Sequence, residues 1–181
     1  MAFFKKRTDL EGVSIIESNI YRDDRGFFTE AFVFDSFDSS DIPSDFVQDN
    51  ISFSKKNVLR GLHYQLRPFP QDKLVFVIKG KILDVVVDIR KKSPTYMKYI
   101  KIELSSDLGR SIFVPRGFAH GFLALEDTYL YYKVTNIFVK ELDRSIRWDD
   151  PDIGIDWGIT NPLVSEKDND APLLRNAEVF L

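Results

Sequence analysis

Apolar and polar residues alternate with a period of two along much of the chain, the spacing that sends successive side chains to opposite faces of a β-strand. Over residues 12–33, β-forming residues such as Val13, Ile15 and Ile20 lead into a turn at Asp24-Arg25-Gly26, which predicts strand, turn and strand. Residues 34–44 are polar and acidic and contain Pro43, predicting a short helix or a loop. From Phe46 onward the pattern predicts short strands over 47–53, 58–65, 74–78, 82–89, 99–104, 111–114, 121–125 and 130–137. Lys79-Gly80, Ser93-Pro94 and Pro115-Arg116-Gly117 supply turns between them. Many short strands, without the helix-period stretches that βαβ crossovers require, predict an all-β sandwich or closed barrel. After Arg147 the chain becomes loop-like, D-D-P-D-I-G-I-D-W-G, with a short helix expected near Ser165.

The 181 residues suit one domain, 1–181, with residues 145–181 as a terminal loop and helix segment. With 44% hydrophobic and 29% charged residues, a chain of this size can bury one core without covalent staples. The absence of cysteine excludes disulfides, Cys-based metal sites and thiolate nucleophiles. His63 and His120 are the only histidines, so one subunit cannot build a three-histidine metal site. The 25 basic and 28 acidic residues leave a net charge of −3, so no basic field is expected and no nucleic-acid partner. The N-terminus, M-A-F-F-K-K-R-T-D-L-E, lacks the apolar centre of a signal peptide, and no apolar run is long enough to span a bilayer. No membrane partner is expected, and a cytoplasmic location is.

The candidate chemistry gathers in three stretches: R-G-L-H-Y-Q at 60–65 followed by Lys73, V-P-R-G-F-A-H-G-F at 114–122, and Y-Y-K at 131–133 with S-E-K-D at 165–168. Gly109, Pro115, Gly117 and His120 fit the G-x5-P-x-G-x2-H motif of cupin jelly rolls. The other cupin motif, H-x-H followed by Glu, is matched only in outline by His63, Gln65 and Lys73. Metal cupins bind their cation through the second His and the Glu. An ammonium at a ligand position repels a divalent cation, so no metal is expected.

Strict alternation places Lys73, Val75 and Val77 on one face of their strand, and Leu130, Tyr132 and Val134 on one face of theirs. It also places Arg60, Leu62 and Tyr64 opposite Gly61, His63 and Gln65. If the faces of His63, Lys73 and Tyr132 line a cavity, it holds a base, a cation and a weak acid. These are the parts for moving a proton on a carbon next to a carbonyl. The nearby Lys73 charge is expected to make Tyr132 a stronger acid. Each residue also has a structural reading: a packed histidine or tyrosine, a solvated strand-end lysine, and at Asp168 the S-x-x-D spacing of a helix cap.

The ordered motifs R-D-D-R-G-F-F-T-E, F-V-Q-D-N, V-L-R-G-L-H-Y-Q, K-L-V-F-V-I-K-G, V-P-R-G-F-A-H-G-F, Y-K-V-T, D-P-D-I-G-I-D-W and S-E-K-D resemble, over essentially the whole chain, the dTDP-4-dehydrorhamnose 3,5-epimerases. The resemblance implies an all-β cupin-type jelly roll with short peripheral helices. It implies a cofactor-free isomerase that inverts C3 and C5 of dTDP-4-dehydro-6-deoxy-D-glucose in dTDP-L-rhamnose biosynthesis. It assigns His63 as general base with Asp168 behind it, Tyr132 as proton donor on the opposite face, and Lys73 as the cation on the C4 oxygen. It assigns binding roles to Arg60 on the diphosphate, to His120 in the sugar site, and to Gln48, Asn50 and Lys167. Arg25 and Glu30 would come from the other subunit of a homodimer, with residues 1–50 near the interface. Two positions depart from the family pattern: Phe138 stands for a tyrosine that stacks on thymine, and Asp143 for a glutamate. A C3-only or C5-only epimerase and a non-catalytic sugar-nucleotide-binding cupin are the alternatives.

Overall fold

The computed structural model describes residues 3–38, 42–107 and 109–181. In chain order the strands are β1 (Phe3–Arg7), β2 (Ser14–Ser18), β3 (Ile20–Asp23), β4 (Gly26–Thr29), β5 (Gln48–Ser54), β6 (Leu59–Gln65) and β7 (Lys73–Lys79). They continue with β8 (Lys81–Asp88), β9 (Tyr99–Ser105), β10 (Arg110–Val114), β11 (Phe118–Ala124), β12 (Thr128–Val134) and β13 (Asp143–Ser145). Two short helices, α1 (Phe34–Asp38) and α2 (Glu166–Asn169), lie at the periphery. Residues 39–41 of the segment expected as helix or loop lie outside the described residues.

A six-stranded sheet in the order β1-β2-β10-β7-β12-β5 faces a five-stranded sheet in the order β13-β6-β11-β8-β9. The ladders are antiparallel, and β3 and β4 form a separate hairpin. This is the expected all-β cupin-type jelly roll. Each predicted strand forms, with shifted ends: β11 begins at Phe118 and β12 stops at Val134, where the segment reaching Ile137 leaves the sheet. β1 and β13 were not expected.

Three apolar clusters explain the pattern. Val75, Val77, Ile112, Val114 and Leu130 of the larger sheet pack between the sheets on Ile82, Val86, Phe118 and Phe122 of the smaller. The opposite face of β7, Leu74 and Phe76, packs with Phe3, Ile16, Phe37 and Ile42. The outer face of the smaller sheet, including Leu62, Tyr64, Val85 and Val87, is covered by Ile146, Ile153, Trp157 and Leu174 from the terminal segment. Strands buried on both faces read as near-continuous apolar runs. Each fully buried Leu, Ile or Val contributes about 1.5–3 kcal/mol of apolar transfer free energy. The loop-like sequence after Arg147 therefore acts as a third packing layer rather than as a tail. Asp150 fixes its turn, accepting N–H groups from Asp152, Ile153 and Leu174. Among the described residues no helix is long and apolar enough to cross a membrane.

One irregularity sets the geometry of the site. His63 pairs with His120 and Arg60 with Phe122, so three steps along β6 match two along β11. The extra residue is a bulge. It overturns the strict alternation expected for β6 and places Arg60 and His63 on the same wall. Two glycines permit it. Gly61 has φ +134°, and a Cβ there would lie 2.6 Å from Gly121 Cα. A Cβ on Gly121 would lie 2.7 Å from the Arg60 carbonyl oxygen.

Candidate active site

A cavity of about 330 Å³ lies between the two sheets, with Arg60, His63 and His120 on the smaller-sheet side and Lys73 and Tyr132 on the larger. Phe138, Asp143 and Lys167 complete the wall at its mouth. Ser52 and Gln71 also line it and carried no signal in the sequence.

His63 Nε2 lies 2.6 Å from Asp168 Oδ1. An ionised carboxylate only accepts, so Nε2 carries the proton and Nδ1 is left as the basic nitrogen. The imidazole keeps 30% of its side-chain surface accessible while Asp168 keeps 4%, so the ring is reachable and its partner anion is sheltered. Burial alone would raise the Asp168 carboxyl, but hydrogen bonds and charge from His63, with the Gly61 N–H, hold it below the ordinary aspartate value. The cap reading of S-x-x-D is half right. Ser165 Oγ accepts the Asp168 backbone N–H at 3.2 Å, while the carboxylate turns away to Gly61 and His63.

Lys73 opens β7 and reaches across the sandwich, its Nζ donating to the His63 carbonyl at 3.3 Å. Burial lowers its pKa to about 8, against the opposing pull of Asp143 and Asp84. It is no solvated strand end. Tyr132 stands on β12 opposite Asn50 of β5. Burial raises its pKa, Arg60 lowers it and Asp143 raises it further. The expectation that a nearby charge would make this phenol a stronger acid is not met: desolvation of the phenolate outweighs the Arg60 cation.

His120 is buried, and its Nε2 lies 2.8 Å from Asp84 Oδ2. Asp84 was missed, although a carboxylate inside the otherwise apolar run I-L-D-V-V-V was a visible signal. Its Oδ1 is buried with no hydrogen-bond partner among the described residues.

The Arg60 guanidinium is steadied by Ser54 Oγ at 3.0 Å and the Phe53 carbonyl at 3.1 Å. Lys167 Nζ pairs with the Asp143 carboxylate. Gln48 and Asn50 lie on β5 and do not themselves line the cavity; Gln48 Nε2 donates to Asn50 Oδ1 at 2.8 Å, and its Oε1 accepts the Phe138 N–H at 2.9 Å. Arg25 and Glu30 are not brought to this cavity. Arg25 sits at the tip of the β3–β4 hairpin, 91% exposed and paired with Asp23, and Glu30 is exposed just beyond β4. The hairpin and its flanks also expose Tyr21, Phe27, Phe28 and Phe34. Among the described residues no three His, Asp or Glu side chains converge as a metal site would require.

The arrangement can remove a proton from a carbon acid, hold the resulting oxyanion near an ammonium, and return a proton from the facing sheet. Comparison with known proteins gives this chemistry a context. The family model for dTDP-4-dehydrorhamnose 3,5-epimerase matches residues 7–176. The enzyme of that name from Methanothermobacter thermautotrophicus is 48% identical over 179 residues, spanning 97% of this chain and 96% of the relative. The crystal structure of the Sulfolobus tokodaii dTDP-4-dehydrorhamnose 3,5-epimerase superposes with a TM-score of 0.93 at 44% identity, covering 99% of each chain. A Legionella pneumophila dTDP-6-deoxy-D-glucose-3,5-epimerase in complex with dTDP-4-keto-L-rhamnose gives a TM-score of 0.93 at 41% identity, covering 97% of this chain and 95% of that one.

Proposed function

The chain belongs to the dTDP-4-dehydrorhamnose 3,5-epimerase family of isomerases, and from that premise we propose that it inverts C3 and C5 of dTDP-4-dehydro-6-deoxy-D-glucose by His63-mediated proton transfer. The product is dTDP-4-dehydro-L-rhamnose, an intermediate toward dTDP-L-rhamnose. The observation that carries the mechanism is the His63–Asp168 pair at 2.6 Å, facing Tyr132 across a cavity that also holds Lys73.

In this reading His63 Nδ1 takes the proton from the carbon beside the C4 ketone, and the carbon's electron pair moves into an enolate whose oxygen meets the Lys73 ammonium. Asp168 stabilises the imidazolium without taking its proton. Tyr132, kept protonated by burial, delivers a proton to the opposite face of the same carbon. The phenolate and imidazolium then return to their starting states through solvent. The same sequence at the second flanking carbon completes the reaction. Arg60 and Lys167 suit the diphosphate, Phe138 the base, and His120, Gln48, Asn50 and Asp143 the sugar and nucleotide edges. No cofactor enters the scheme.

Residues 1–181 are read as one epimerase domain that works as a homodimer in the cytoplasm, with a dTDP-sugar as its small-molecule partner and neither nucleic acid nor membrane. The exposed hairpin bearing Arg25, with Glu30 behind it, supports delivery of both side chains to the partner's cavity. A fully active monomer at micromolar concentration would remove the dimer from this reading. Product NMR after incubation with dTDP-4-dehydro-6-deoxy-D-glucose tests the function. Inversion at both carbons is expected, whereas inversion at one carbon alone would make the enzyme a mono-epimerase.

A further inference from the structure

The backbone of residues 137–139 is pinned at three successive residues by glutamine side chains, and the geometry points to Gln65 as a positioning residue that holds Phe138 in place as the wall for the nucleobase. This deepens the functional reading above and rests on it. Gln65 ends β6 and is 4% exposed. Its Oε1 accepts the Val139 N–H at 2.8 Å, and its Nε2 donates to the Ile137 carbonyl at 3.0 Å and to the Phe69 carbonyl. Gln48, from the other sheet, accepts the intervening Phe138 N–H at 2.9 Å.

Phe138 is 53% exposed as a residue, so packing alone fixes its ring poorly. Its place at the cavity mouth depends on the backbone beneath it. That backbone is further tied to the 69–72 loop, where Gln71 Nε2 donates to the Asn136 carbonyl at 2.8 Å and Asn136 Nδ2 to the Pro70 carbonyl at 2.7 Å. Gln65 is the buried member of this network and the one that joins both loops to the sheet.

Only an amide both donates and accepts in the way this position demands. A carboxylate would face two carbonyl oxygens, and a thioether would leave buried backbone groups unpaired. The position that is a metal ligand in metal-binding cupins is thus spent here on loop geometry. A ring that must be ordered during binding weakens affinity, while a ring already ordered does not. The effect falls on nucleotide binding and not on proton transfer, because Gln65 contacts neither His63 Nδ1 nor Tyr132 by hydrogen bond among the described residues.

The test is calorimetric titration of thymidine diphosphate into the unaltered protein, Gln65→Met, Phe138→Ala and the double variant, with kcat measured at saturating substrate. Each single variant is expected to bind about tenfold more weakly. The double variant should bind no more weakly than Phe138→Ala alone, because both changes remove the same wall. The kcat of Gln65→Met should stay within about threefold. Unchanged binding by Gln65→Met, or losses that multiply in the double variant, would overturn the inference while leaving the functional reading intact. Failure of the unaltered protein to bind thymidine diphosphate would overturn both. Should Gln65→Met not fold, Gln65→Glu keeps the size and the acceptor for the Val139 N–H but removes the donors to the Ile137 and Phe69 carbonyls. The same coupling to Phe138→Ala is expected there, and independent losses overturn the inference.

Discussion

Asp168 and His63 lie 105 residues apart in the chain and 2.6 Å apart in space. The contact joins a four-residue helix, α2, to a strand of the smaller sheet. Because the carboxylate also accepts the Gly61 N–H, it ties the base to the bulge that places Arg60 on the same wall.

Asp168→Asn should therefore damage catalysis through the tautomer. An asparagine amide can present its N–H to Nε2, which moves the imidazole proton to Nδ1 and removes the basic nitrogen. A fall in kcat of about 100-fold or more is expected, with thymidine diphosphate affinity little changed. Unaltered turnover would leave Asp168 as a helix brace alone.

Gly61→Ala should be costly in both folding and function. The added Cβ would meet Gly121 Cα at 2.6 Å, in a backbone region that L side chains rarely adopt. A loss of about 2 kcal/mol or more is expected in denaturant titration. Nucleotide binding should weaken as well, because Arg60 shifts with the bulge. Full retention of stability would show that the two strands can part at low cost.

Most strands were legible because β-strands buried on both faces leave apolar runs bounded by turn residues, as in K-L-V-F-V-I-K-G. β1 was not, since F-F-K-K-R buries only Phe3. β13 is three residues long and exists through its pairing with β6. That His63, Lys73 and Tyr132 share one cavity was legible through the ordered motifs, but the shared wall of Arg60 and His63 was not. It depends on one extra residue made possible by the close approach of Gly61 and Gly121, a tertiary fact that no local pattern carries. The direction of the Tyr132 shift was missed for a similar reason, since burial of the phenol is not visible from its neighbours in sequence.

Activity should fall as pH rises through the Lys73 transition. Below its pKa of about 8 the side chain is the ammonium that the enolate needs; above it the amine is neutral. The profile of kcat/KM should show an alkaline limb near pH 8. Stability should move the other way. The folded value lies below the ordinary 10.5, so the unfolded chain binds more protons between about pH 8 and 10.5, and this group's contribution rises with pH across that window. Lys73→Met should lose turnover while still binding nucleotide. Lost binding with an intact maximal rate would make Lys73 a substrate ligand only.

Tyr132→Phe should separate proton removal from inversion. The ring and its packing remain and only the hydroxyl is lost. In heavy water the variant should still exchange at one or both carbons, mostly with retention, and form product slowly. Full-rate formation of dTDP-4-dehydro-L-rhamnose would remove Tyr132 from the mechanism.

The most direct test follows deuterium uptake from heavy water into dTDP-4-dehydro-6-deoxy-D-glucose by NMR, with the unaltered enzyme and with His63→Ala. The unaltered enzyme should incorporate deuterium at both C3 and C5. His63→Ala should lose exchange at both carbons by about 100- to 10,000-fold, the usual cost of removing a general base, while still binding thymidine diphosphate. Exchange by His63→Ala at the normal rate at either carbon would contradict the assignment of His63 as the single base for both.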